Sequence, residues 1–221
     1  MYNELVPRAR TWIDDVEALF CSLGISRASV PYVSARSGGI TVDGRLDEPE
    51  WRVMAPGQDI ARSVLNGRPE KADASFLSRY DKQNLYIGVR VGKSLGKPRF
   101  SLCLMDGFSV PLSSSGFWYA QADNDAIVAS TRVVRGRQVA WACEWRMASA
   151  ANGDAWEAKV SIPFANLERQ SGPQAADRWR IRCAVFEGEN REPVAEWGNG
   201  ELTRVPVHGD ILAFEASPTE E

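Results

Sequence analysis

A chain of 221 residues that is 44% apolar and 25% charged can bury roughly 70% of its unfolded surface and needs no disulfide or metal to hold a core. Its 26 basic and 29 acidic residues are interleaved, and a net charge of −3 excludes a general pull towards nucleic acid or an anionic membrane surface. No run approaches the ~18 apolar residues that a membrane-crossing helix needs.

The N-terminus lacks the basic, apolar and small-residue pattern of a secretion signal. The expectation is a protein that works where it is made, or a domain of a longer exported chain. Residues 3 to 23 read as an α-helix: Trp12, Val16, Leu19, Phe20 and Leu23 recur on one face, and Gly24 stops it. Residues 25 to 39 have the Pro, Ser and Gly content of a loop. We read residues 1–39 as an amphipathic helix and linker, 40–215 as the folded domain, and 216–221 as a polar tail.

From Ile40 the pattern becomes β. Ile40 and Val42 suggest a short strand that ends at the Asp43-Gly44 turn, and Pro49 to Trp51 suggests a helical turn with Trp51 pointing inward. The clearest hairpin follows: Phe76, Ser78 and Tyr80 alternate, Asp81 to Asn84 turn, and Leu85, Ile87, Val89 and Val91 return. Phe100, Leu102 and Leu104 predict a strand, and residues 117–134 predict one long strand or two. Val139, Trp141, Cys143 and Trp145 share one phase of the next. In DAWEAKVSIPFANL (154–167), Trp156, Ala158, Val160 and Ile162 take one face and Glu157, Lys159 and Ser161 the other, before Pro163 ends the strand. Trp179, Ile181, Cys183 and Val185 repeat the pattern, and Ile211 to Phe214 closes the series. Eight to ten strands without a long intervening helix imply an all-β, antiparallel two-sheet sandwich.

These segments, in this order, resemble the DOMON-type, jelly-roll-like sandwich of family 9 carbohydrate-binding modules. The residues that carry the resemblance are ITVDGRLDEPEW (40–51), YDKQNLYIGVRV (80–91), WEAKVSIPFANL (156–167), WRIRCAVFEG (179–188) and EWGNGELTRVPVHGDILAF (196–214). The resemblance implies a non-catalytic module that holds a saccharide between aromatic faces and carries structural calcium. The chain departs from that pattern at GKSLGKPRFSLCLMDG (92–107), where the family places an acidic loop with a Trp.

The candidate ligand residues combine an indole face with planar polar partners, as a sugar ring requires. Trp197, with Glu196 and Asn199 in the same Gly-rich loop, is the first choice of platform. Trp118 and Tyr119 are the second, with at most one of them in the core because adjacent strand residues face opposite ways. Trp141, Trp145, Trp156 and Trp179 read as core. Arg79, Arg90, Arg180, Arg182, Glu144, Glu157 and Lys159 take the water-facing phase, so Arg90 and Arg182 are candidates to line a groove. Asp43 and Asp47, beside Glu48 and Glu50, could offer oxygens to the calcium that the resemblance implies.

Catalysis has little to stand on. His208 is the sole histidine, and no nucleophile elbow, zinc motif or phosphate-binding loop is present. Cys21, Cys103, Cys143 and Cys183 lack a metal-binding spacing and read as free thiols. Haem would need His208, Met54, Met105 or Met147 as axial donors. The reading is therefore a saccharide-binding module. The alternative is an accessory subunit that has lost its sugar site and docks a protein partner through the N-terminal helix.

Overall fold

Period-two alternation sorts the chain into two β-layers, each with one face turned to the other. The structure, a computed structural model, describes residues 27–33, 39–52, 62–65, 68–71, 73–106, 116–168, 172–174, 177–197 and 210–215. The predicted helix over residues 3–23, Cys21, Met54, Asn199, His208 and the tail from residue 216 lie outside the described residues.

The described strands are β1 (Arg27–Val30), β2 (Arg62–Leu65), β3 (Arg68–Lys71), β4 (Ala74–Tyr80), β5 (Asn84–Val91), β6 (Pro98–Asp106) and β7 (Phe117–Asp123). They continue as β8 (Ala126–Val134), β9 (Arg137–Val139), β10 (Arg146–Asn152), β11 (Ala155–Pro163), β12 (Arg178–Glu187), β13 (Ala195–Trp197) and β14 (Asp210–Phe214). The larger sheet runs β3-β2-β13-β12-β6-β7-β8-β9, with β14 also on β12 and β1 on β14. The smaller runs β10-β11-β5-β4. Among the described strands, every pair is antiparallel except β1 with β14. The predicted antiparallel two-sheet sandwich is the observed fold. Among the described residues, no helix is long and apolar enough to cross a membrane.

The core lies between the sheets. Phe76, Ile87, Val89, Trp156, Val160 and Ile162 from the smaller sheet meet Leu102, Leu104, Trp118, Trp179, Ile181 and Val185 from the larger. Trp179 is fully buried and meets Phe214 and Phe164 edge-on at 5.0 and 5.9 Å between ring centres. Such pairs add to the burial of apolar area that drives the layers together.

Three local expectations change. Residues 27–33, read as linker, join the sandwich: β1 pairs in parallel with β14, and the Val33 N–H donates to the Tyr80 carbonyl at 2.7 Å. Ile40 to Val42 form no strand, because this segment crosses the outer face of the smaller sheet instead of extending an edge. Residues 140–145 also stay out of the ladder. There the side chain of Asn166 donates to the Ala142 carbonyl at 2.8 Å and accepts from the Glu144 N–H at 3.1 Å, and β10 starts only at Arg146.

Candidate functional site

β12 alternates so that Trp179, Ile181, Cys183 and Val185 enter the core while Arg180, Arg182 and Ala184 point away from it. Register carries this outer face across its neighbours. Arg182 lies opposite Cys103, Cys103 opposite Tyr119, and Tyr119 opposite Thr131. Ala184 lies opposite both Ser101 and Glu196, and Ser101 opposite Gln121. Directly opposed residues share a face, so Arg182, Glu196, Tyr119 and Gln121 form one polar field.

Within it, Arg182 donates through Nε and Nη2 to Glu196 Oε1 at 2.8 and 2.5 Å. The two side chains are only 8% and 6% exposed. Burying an ion pair costs desolvation that its attraction repays only in part. Tyr119, half-buried, donates its hydroxyl to Gln121 Oε1 at 3.2 Å. Burial, and then the neighbouring Cys103, push the Tyr119 phenol up, while Arg99 pulls the other way. Burial pushes the Cys103 thiol up to about 12 against the opposing pull of Arg182. Burial also lowers Arg180. At neutral pH the field therefore offers neutral tyrosine and thiol groups beside a fixed guanidinium–carboxylate pair.

The sequence-selected residues part company here. Glu196, Arg182 and Tyr119 come together. Trp197 does not join them: opposite Cys183, it turns into the core, is 1% exposed, and packs against Phe76 at 5.8 Å. The open platform expected of Trp197 is corrected by that register, which puts Glu196 and Trp197 on opposite faces. Trp118 is likewise turned into the core, with the Arg132 guanidinium 5.8 Å from its ring centre. Arg90 lies on the other sheet, exposed, 2.9 Å from Glu157. Sequence reasoning missed Gln121, Ser101 and Cys103, although the outward phase of β6 and β7 pointed to them.

The water-facing reading of Arg79, Arg180, Arg182, Glu157 and Lys159 is also corrected, since none is more than 7% exposed. On the smaller sheet the reason is a strap, residues 39–52, laid over the outer face. Trp51 and Leu46 pack there with Leu77 and Tyr86, above Gly88, where an added Cβ would stand 2.7 Å from Leu46 Cδ2. Arg79 donates to the Glu50 carbonyl at 2.7 Å and lies 5.5 Å from the Trp51 ring centre.

Beside the strap opens a cleft of about 1110 Å³ lined by Thr41, Asn84, Tyr86, Glu144, Arg146 and Ser161 among others. Three of its polar side chains are linked to one another. Ser161 donates to Asn84, Asn84 donates to the Tyr86 hydroxyl, and Tyr86 donates to Asp81. Trp145 also lines it but is 4% exposed, so the cleft presents no open aromatic face.

The acidic turn does not fit calcium. Asp43, Glu48 and the Thr41 carbonyl converge on the Lys159 ammonium, at 2.9, 2.5 and 3.0 Å. The Asp47 carboxylate is not among these contacts. Among the described residues, no group of three or more His, Cys, Asp or Glu side chains is arranged to hold a metal ion.

No family model and no curated protein matches the sequence. Solved structures do share the architecture. A family 9 carbohydrate-binding module from Caldicellulosiruptor kristjanssonii, in complex with cellotriose, aligns with a TM-score of 0.56 at 11% identity, covering 88% of this chain and 96% of the module. A module of that family from the same organism, in complex with glucose, gives 0.55 at 11% identity, covering 89% and 99%. A Bacteroides uniformis protein provisionally assigned to carbohydrate binding gives 0.60 at 12% identity, covering 86% and 100%. The chain is thus a two-layer β-sandwich with the fold seen in family 9 carbohydrate-binding modules.

Proposed function

We propose that this chain is a non-catalytic carbohydrate-binding module that holds a saccharide on the outer face of its larger sheet. One observation carries the reading: the Arg182–Glu196 pair stands in cross-strand register with Tyr119 and Gln121. Guanidinium, carboxylate and amide groups are planar partners for vicinal hydroxyls, and the tyrosine ring offers a face to sugar C–H groups. Similarity of fold to modules solved with cellotriose and glucose supports the ligand class.

Titration calorimetry with glucose and cellotriose tests it. Breaking only one side of a buried pair destabilises a protein, whereas replacing both partners with apolar residues of similar volume is often neutral. The informative variant is therefore Arg182→Met with Glu196→Leu, alongside Tyr119→Ala. Both should keep the far-ultraviolet spectrum and lose saccharide binding at least tenfold. Wild-type affinity in both would refute the site. The accessory-subunit alternative rests on the helix predicted for residues 3–23, and no contact among the described residues favours it.

A further inference from the structure

Lys159 occupies an unusual position for a lysine. It sits mid-strand on β11, opposite Gly88, and its side chain is fully buried. Among the described residues, every hydrogen-bond partner of its ammonium belongs to the strap. Its Nζ donates to the Thr41 carbonyl at 3.0 Å, to Asp43 Oδ1 at 2.9 Å, and lies 2.5 Å from both oxygens of Glu48. Glu48 Oε1 also accepts the Thr41 N–H at 3.2 Å, which fixes the carboxylate in place. The Asp43 carboxyl is held below its usual range, chiefly by the Arg45 N–H and further by Lys159. Two residues along the same face of β11, Glu157 accepts the Leu46 N–H at 3.0 Å. The strap is thus fastened by a cation and an anion from one strand.

A carbonyl and two carboxylates converging on one point are the hard oxygen set that a divalent ion would otherwise take. A lysine ammonium is a compact point charge with three donors, suited to the same geometry. We propose that the Lys159 ammonium is a resident cation standing where a structural metal ion would serve, so that the strap docks on the smaller sheet without metal. It replaces the two positive charges of a diffusible divalent ion with a single charge that is covalently tethered. The strap and the proposed saccharide face lie on different sheets, so the two proposals fail separately.

Thermal unfolding of the full chain provides the test. Wild-type protein should melt at the same temperature in millimolar calcium, in magnesium and in EDTA. Lys159→Ala should melt about 6–11 °C lower, as expected for a broken buried ion pair spread over the unfolding entropy of a chain this long. Millimolar calcium should recover part of that loss in the variant alone, by occupying the vacated oxygens. If Lys159→Ala does not fold, wild type and Glu48→Gln decide: a wild-type melt raised by calcium and abolished in Glu48→Gln overturns the proposal, and metal-indifferent melts with Glu48→Gln lowered sustain it. A folded Lys159→Ala that is as stable as wild type, or equally destabilised with and without calcium, also overturns it.

Discussion

Truncating Trp197 separates the two roles this residue could play. Its indole is 1% exposed, lies 5.8 Å from the Phe76 ring centre, and finds no acceptor for Nε1 among the described residues, so its contribution among them is apolar contact. An aromatic side chain buries ~150–250 Å², which at ~25 cal/mol per Å² corresponds to ~4–6 kcal/mol. Measured core truncations of this kind cost ~3–5 kcal/mol, because the cavity relaxes only in part. Taking ~4 kcal/mol and an unfolding entropy of ~0.46 kcal/mol/K for a chain of this length, Trp197→Ala should lower the melting temperature by about 9 °C. Trp197→Phe should cost less than half of that, because the N–H it removes has no acceptor among the described residues. Circular dichroism melts, which do not depend on tryptophan emission, measure both. Cellotriose calorimetry at a temperature where each variant is folded should show unchanged affinity. A Trp197→Ala protein that melts like wild type but no longer binds saccharide would refute the reasoning and return the indole to the binding face.

Two further outcomes follow from backbone and proton placement. Gly44 has φ of +85°, and an added Cβ would stand 2.5 Å from the Ser149 carbonyl carbon, whereas Gly136 at φ +73° has open space. Gly44→Ala should therefore cost more than the ~1–2 kcal/mol left-handed penalty expected for Gly136→Ala, and equal denaturation midpoints for the two would refute the close approach of strap and β10. Tyr80 is pushed up to about 12 by burial first and then by Tyr32 and Glu215. A folded value above the unfolded 10.0 means its stabilisation is complete below pH 10 and is lost as pH climbs towards 12. Guanidinium midpoints should fall across that window and fall less in Tyr80→Phe. Identical slopes would contradict it.

Alternation within a strand is a local property, set by the geometry of an extended chain, and is legible in the order of residues alone. β4, β5, β6, β11 and β12 were readable one residue at a time, as were the Asp81–Asn84 turn, the helical turn carrying Trp51 and the core role of Trp145, Trp156 and Trp179. What lies over a face is not local. Glu157 and Lys159 have the phase of surface residues, yet a strap more than a hundred positions earlier in the chain seals them. Trp197 sits in a loop-like EWG sequence, and only its pairing opposite Cys183 turns it inward and leaves Glu196 beside Arg182. Phase comes from covalent geometry and can be read along the chain. Cover and partnership come from contacts between distant segments, so tertiary structure alone decided which charges are buried and which residues share the candidate site.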